Sequence, residues 1–174
     1  AGTVSELAPG VRGLTAGDRV MALLPGGGYA EEAAVDARSL IPVPGCLSDA
    51  EAGAVPEVFL TAFLNLFQLG RLRAGDWALV HGGSGGVGTA AIALTRLDGA
   101  RIAVTAGSPD RCRRCRELGA DLVLDYRADD VSGAVREATD GVRIERDRAY
   151  VIPPDRDLAV MHGELHLMTR PQSP

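Results

Sequence analysis

Lysine is absent: all 18 basic residues of the 174-residue chain are arginine. That absence excludes Schiff-base chemistry, a phosphate loop of the Walker type and a Tyr-Lys catalytic pair. Aromatic residues make up only 4% and the formal charge is -5, which argues against a base-stacking platform and a nucleic-acid partner. Three cysteines, Cys46, Cys112 and Cys115, are too few and too unevenly placed for a secreted disulfide framework. No run of about 18 uninterrupted apolar residues occurs; the most apolar stretch, 55–69, carries Glu57, Thr61, Asn65 and Gln68. No signal-peptide pattern is present either. What remains is a 46% hydrophobic share, normal for a chain that buries a core, and length for one ordinary domain or one and a half small ones. The chain reads as a soluble, cytoplasmic fragment with no membrane partner.

The grammar of the first 44 residues is strand and turn. GDRVMALL is a short apolar run, Pro25-Gly26-Gly27-Gly28 a turn, and YAEEAAVDA an exposed, moderately polar strand, with Pro42 and Pro44 closing the segment. Ser48 followed by Glu51 is a capping box that opens a helix. Pro56 is expected to interrupt it, with a second helical run continuing to Gly70. Phe59, Phe63 and Phe67 recur every fourth residue and predict one buried stripe, leaving Thr61 and Asn65 off it.

From Asp76 the pattern alternates between strand and helix. WALVH, RIAVT and DLVLDY read as buried strands. The helices between and after them cover TAAIALTRLDG, a run opened by Ser108-Pro109 and ended by Gly119, and a weaker stretch over 129–139. A glycine loop after the first of these strands makes the series half of a doubly wound parallel sheet, of fold class α/β. After Gly141 the pattern changes to AYVI, Pro153-Pro154 and a hairpin turning at His162-Gly163-Glu164. His162 and His166 on a hairpin form neither a helical zinc pair nor a triad, and no metal site is expected.

The chemistry-bearing motif is HGGSGGVG, 81–88, in which five of the seven residues 82–88 are glycine. Glycines there let the backbone turn tightly and approach a pyrophosphate, and a following helix offers unpaired N–H groups to it. About 20 residues beyond such a loop, an NAD-preferring site carries a carboxylate for the ribose hydroxyls. This chain has Thr105-Ala106-Gly107-Ser108 there, without an acid, and Arg111 one turn into the next helix. That combination accepts a 2′-phosphate, through a charge-assisted contact of about 2–3 kcal/mol. The other arginines of the helix, Arg113, Arg114 and Arg116, read largely as a solvated face. Cys112 and Cys115 form C-x-x-C on one helix face: a redox pair, half a zinc site, or small, half-buried apolar residues, the last being the favoured reading.

Residues 1 to about 140 resemble the zinc-independent quinone oxidoreductases of the medium-chain dehydrogenase/reductase superfamily. The stretches that carry the likeness are GLTAGDRVMALLPGGGYAE, LIPVP, EVFLTAFLNLF, LRAGDWALVHGGSGGVGTAAIAL, TAGSP and ELGADLVLDYR. The resemblance implies that 1–45 is the remnant of a β-rich, GroES-like catalytic domain and 46–140 the first half of an NADPH-binding Rossmann domain. It implies NADPH as cofactor, with the pyrophosphate at Ser84, Gly85, Gly86, Val87 and Gly88. It also implies Thr61 near the nicotinamide, Gly107, Ser108 and Arg111 on the 2′-phosphate, and Tyr126 by the adenosine phosphate. The implied activity is hydride transfer from NADPH to a small quinone or enone, in a homodimer, with no general acid demanded. Glu32, where the family usually has an aromatic, and Gly45-Cys46 depart from its pattern, and its N-terminal wall of the substrate cleft is missing. The tail from 141 resembles a chemotaxis receptor methylesterase segment around AYVIPPDRDL, without the serine nucleophile of that family. The expectation is therefore an impaired fragment; the alternatives are a non-catalytic dinucleotide-binding remnant and a chimera with a signalling-domain tail.

Overall fold

A computed structural model describes residues 1–139 and 165–168. The chain forms two compact units, Ala1–Val58 and a second that starts at Phe59. The first is built on an antiparallel sheet of three short strands, β1 (Gly2–Thr3), β2 (Arg19–Met21) and β3 (Ile41–Pro42), in the order β1-β2-β3. Val20 and Met21 supply its buried apolar contacts. Main-chain bonds from Val4 N to Asp18 O (2.9 Å) and Gly17 N to Val4 O (2.9 Å) extend the β1–β2 pairing into the turn.

The strand expected over 29–37 does not form. The segment has no regular pairing and ends in a 3-10 turn, Ala37–Ser39, capped by Asp36, whose carboxylate accepts from Arg38 N at 2.9 Å. The Arg38 guanidinium hydrogen-bonded to the same carboxylate holds its pKa down, at about 2. A local Asx turn has captured backbone groups that a strand would need, and Glu31 and Glu32 offer no apolar face to bury.

Helix α1 (Asp49–Phe63) begins as the capping box predicts: Ser48 N donates to Glu51 Oε2 at 2.9 Å and Glu51 N to Ser48 Oγ at 3.3 Å. The Ser48 backbone N–H and hydroxyl hold the Glu51 carboxyl below its usual range. Arg19 reaches from β2 to Asp49 Oδ1 (2.6 Å) and Leu47 O (2.8 Å), tying the helix start to the small sheet. Pro56 does not interrupt α1, which runs through it unbroken. The missing N–H costs one bond of the ladder, and the ring is buried instead. A π-helical turn, Leu64–Leu69, follows, closed by Gly70 N donating to Asn65 O at 2.9 Å.

The phenylalanine stripe is also corrected. Phe63 is 45% exposed, whereas Ala62 and Leu66 are buried. Small Ala62 sets the inward face because it allows close approach; Phe63 lies outward, its ring 5.3 Å from that of half-buried Phe67. The 21-residue stretch Asp49–Leu69 is long and apolar enough to cross a membrane by length and composition. Glu57 near its midpoint would then have to enter hydrocarbon, which is costly.

The second unit is the parallel sheet that the sequence predicts. Strands β4 (Trp77–His81), β5 (Arg101–Ala106) and β6 (Leu122–Asp125) pair in parallel in the order β6-β5-β4. Helix α2 (Gly86–Asp98) connects the first pair and α3 (Pro109–Glu117) the second, and α4 (Val131–Ala138) follows β6. Trp77, Leu79, Ala103 and Leu124 point to one face and pack with Val135 of α4. Ala78, Val80, Ile102 and Val104, one residue out of phase, are buried on the other. Helix ends follow their sequence signals: Ser108 caps α3 ahead of Pro109, and Gly119, at φ +93°, stops it. A seventh strand, β7 (Leu165–Met168), pairs antiparallel with the second edge of β4, Val80 opposite Leu165 and Trp77 opposite Met168. The remainder of the expected tail, with AYVI, Pro153-Pro154 and the His162-Gly163-Glu164 turn, lies outside the described residues.

Cys112 and Cys115 are fully buried rather than half-buried, on the inner face of α3. Burial raises both thiol pKa values, so both are protonated at neutral pH and poor nucleophiles. A thiol reagent at pH 7.5 should therefore modify the exposed Cys46 alone, and all three cysteines once the protein is unfolded in guanidinium; mass spectrometry of the alkylated chain distinguishes the cases.

Candidate functional site

All three parallel strands of the second unit end at the same edge of the sheet, and the residues singled out in the sequence, Thr61 excepted, lie in the segments that follow those strand ends. His81 at the end of β4 is in register with Thr105 of β5, and Ala106 is in register with Asp125 of β6. The first two are also joined through side chains, His81 Nδ1 to Thr105 Oγ1 at 3.0 Å.

The loop after β4 is fixed by its own backbone. Gly82 takes φ +77°, which glycine adopts without strain. Gly83 N donates across to Thr105 O (2.9 Å) and Gly85 N donates to Gly82 O (2.9 Å). Gly85 is the extended N-cap of α2 and has no side chain to cap with. The first intrahelical bond is Thr89 N to Gly85 O, at 2.8 Å. The amides of Val87 and Gly88 therefore have no acceptor among the described residues and face outward from the helix start. Two further glycines are required for packing. A Cβ on Gly83 would stand 2.5 Å from Val104 Cβ, and one on Gly88 2.5 Å from Gly82 O and 2.6 Å from Gly83 Cα. Helix, loop and strand thus meet at backbone distance, and the helix dipole is brought close to the sheet edge.

The turn after β5 is built in a related way. Ser108 Oγ accepts from Arg111 N at 3.4 Å as the N-cap of α3. Tyr126 N donates to Ala106 O at 3.1 Å, and its phenol oxygen packs directly on the α-carbon of Gly107, where a Cβ would collide with it. Tyr126 is otherwise half exposed. Asp110 pairs with Arg113 at 2.7 Å, and no ion pair engages Arg111 among the described residues. Ser84 through Gly88 and Gly107, Ser108, Arg111 and Tyr126 are thus placed on one sheet edge. Thr61 lies elsewhere, on α1, with its carbonyl accepting from Asn65 Nδ2 at 2.8 Å, and no described contact joins it to the two loops. In the sequence Thr105 stands out only as part of the turn after β5, not as the residue that locks the loop to that strand, and Arg127, whose guanidinium lies over the Tyr126 ring, is not singled out. Arg127 was visible in the sequence as the residue after that tyrosine. Among the described residues, no group of three or more His, Cys, Asp and Glu side chains could hold a metal ion.

Residues 86–146 match the family model described as zinc-binding dehydrogenase. Over 141 residues the chain is 41% identical to the phthioceranic/hydroxyphthioceranic acid synthase of Mycobacterium tuberculosis, a match that covers 81% of this chain and 7% of the synthase. The quinone oxidoreductase of Escherichia coli, solved with NADPH, superposes with a TM-score of 0.71 at 29% identity, over 80% of this chain and 43% of that one. The CurK enoyl reductase superposes with a TM-score of 0.75 at 30% identity, over 80% of this chain and 42% of that one. The chain thus spans less than half of either solved relative.

The packing makes a prediction. Gly88→Ala places a methyl against loop backbone, which cannot move away cheaply, and should destabilise the second unit by about 2 kcal/mol. Gly107→Ala meets only the tip of a half-exposed tyrosine and should cost well under half as much. Thermal unfolding of the two variants against the parent gives the comparison.

Proposed function

The chain belongs to the medium-chain dehydrogenase/reductase superfamily, and on that premise we propose that it binds NADPH and serves hydride transfer to a quinone or an enone. The observation that carries the reading is the pair of amides, Val87 and Gly88, that have no acceptor among the described residues at the start of α2, presented by a glycine loop at the end of a parallel strand. Ser84, Gly85, Gly86, Val87 and Gly88 hold the pyrophosphate. Absence of Cβ atoms lets it approach, and the helix end favours its charge. The residues fit the group: a loop closed by side chains, or a helix start capped by its own serine, would not.

The 2′-phosphate falls to Gly107, Ser108 and Arg111, with Tyr126 by the adenosine phosphate. Arg111 is available for it because Asp110 is engaged by Arg113. No carboxylate stands at the end of β5, where one would repel a phosphate. Thr61 is assigned to the nicotinamide end. When bound, the nicotinamide supplies the hydride; the work of the protein is to hold and orient it. With a quinone as acceptor the protons come from water, and the reaction then asks for no acid from this chain. The mycobacterial synthase and the CurK enoyl reductase favour a conjugated acyl group among the enones.

In this reading 1–45 belongs to a β-rich catalytic domain, 46–140 is the first half of the nucleotide domain and 141–174 a tail. The setting is cytoplasmic, the partner is a small molecule and a homodimer is the assembly; membrane and nucleic acid play no part. On this reading the chain binds the dinucleotide and supports turnover, and the competing reading is dinucleotide binding without turnover.

Two measurements test this. NADPH titrated against the purified chain, followed by fluorescence, should saturate, and phenanthrenequinone should then drive slow NADPH oxidation. Binding without oxidation selects the remnant, and absence of binding removes the proposal. Arg111→Ala should weaken NADPH by tens-fold, a loss of about 2 kcal/mol, while leaving NADH nearly unchanged. Equal losses for both would withdraw the 2′-phosphate assignment.

A further inference from the structure

The glycine loop and Thr61 share no described contact, yet one element touches the neighbourhood of each. Strand β7 pairs with β4 over its whole length: Val80 is opposite Leu165, Leu79 opposite His166, Ala78 opposite Leu167 and Trp77 opposite Met168. Its first residue therefore lies at the edge where β4 runs into the glycine motif, one position short of His81. The same strand packs against the π-helical turn Leu64–Leu69. That turn is fastened to Thr61 and to itself. Asn65 Nδ2 donates to Thr61 O at 2.8 Å, and Gly70 N to Asn65 O and Leu72 N to Leu66 O, each at 2.9 Å. Leu66 is fully buried. A continuous set of contacts thus runs from β4 through β7 and the π-helical turn to Thr61.

The geometry points to β7, Leu165–Met168, as a positioning element for the nicotinamide half of the dinucleotide: by pairing with β4 and seating the π-helical turn, it fixes how far Thr61 stands from the glycine loop. Its antiparallel direction does not prevent this. A ladder spaces neighbouring strands about 4.7–4.9 Å apart whichever way they run, so the strand sets the same lateral distance in either sense. The phosphate end of the site has no such dependence, because β4, β5 and β6 pair with one another without β7. Displacement of a reacting group by about 1 Å is enough to lower a rate steeply, so a brace on Thr61 bears on turnover more than on phosphate binding. Four residues hold to β4 through few main-chain bonds, each of modest net strength, and β7 can be released while the parallel sheet persists. This inference rests on the dinucleotide reading above, and names the element that carries the second half of that ligand.

The test titrates NADPH and 2′,5′-ADP against the full chain by calorimetry. Alternate residues of an antiparallel strand direct their N–H at the partner, so the double variant His166→Pro/Leu167→Pro removes a donor from the ladder whichever way the alternation falls. Hydrogen exchange at 77–81 should then be faster. Affinity for NADPH should fall about tenfold while that for 2′,5′-ADP stays within about twofold. The phenanthrenequinone-dependent rate at saturating NADPH should fall about tenfold as well, which weaker phosphate contacts alone would not cause. A second variant keeps β7 in place: Ala78→Cys with Leu167→Cys, directly opposite one another, is within disulfide reach, and the oxidised chain should keep the affinities of the parent. Released β7 with an unchanged ratio of the two affinities would overturn the inference, and so would unchanged exchange at 77–81 in the proline variant. A disulfide-locked chain that loses NADPH and regains it on reduction would overturn it too, marking β7 as an obstacle. A parent chain that binds NADPH no tighter than 2′,5′-ADP would overturn it while leaving the dinucleotide reading intact, and one that binds neither would overturn both.

Discussion

The second unit depends on backbone meeting backbone where a strand, a loop and a helix converge. Gly83 lies against Val104 and Gly88 against the loop carbonyl of Gly82, at distances that leave no room for a β-carbon. The close approach sets where α2 begins and hence where its unaccepted amides point. It also lets Gly83 donate to Thr105, which couples the loop to the neighbouring strand. Without it the helix would stand off from the sheet, the buried residues Ala90, Ala91 and Ile92 would lose their contact, and the amides would no longer share an edge with the turn after β5. Stability and ligand geometry are thus set by the same few glycines, and substitutions there cannot separate the two.

That edge is assembled from three chain segments held by different means. The first is held by glycine turns, the second by a serine cap, and the third by a phenol resting on Gly107. Parallel strands make the convergence unavoidable, because all three end on the same side. The charged groups at the edge have different partners: Asp110 pairs with Arg113, Asp125, Asp129 and Asp130 accept from main-chain donors, and Arg111 enters no ion pair among the described residues.

Elements whose signals are local were legible. The capping box at Ser48, the proline start and glycine stop of α3, and the three buried strands each needed only a few neighbouring residues to specify them. Elements decided by competition were not. Residues 29–37 had the composition of a weak strand, but Asp36 offered the backbone a nearer partner. Pro56 read as a break because the cost of a missing bond is visible in the sequence and the gain from burying its ring is not. The phenylalanines recur at helical spacing, yet the helix turns Ala62 and Leu66 inward, and the π-helical turn after Phe63 shifts the register by which the stripe was read. For the site, the glycine loop and the TAGS turn were readable as motifs, but the His81–Thr105 link and the seating of Arg127 on Tyr126 join residues far apart or on different loops, and only the folded chain brings them together.

The sheet also separates binding from turnover. In a doubly wound sheet the strand beside the first one runs parallel, and the crevice between them receives the second half of a dinucleotide. Here that edge of β4 carries β7, which runs antiparallel. On the proposed reading the described edge accordingly carries the groups for the phosphates and adenosine, whereas the nicotinamide end relies on Thr61 of α1. Affinity drawn from the phosphates is the same in the ground state and the transition state, so by itself it tightens the complex without speeding the reaction. Rate has to come from orientation at the nicotinamide. On the proposed reading, a quinone, whose reduction needs little assistance from the protein, is therefore an acceptor that a chain built in this way would serve more readily than a conjugated acyl group, which needs a placed proton donor.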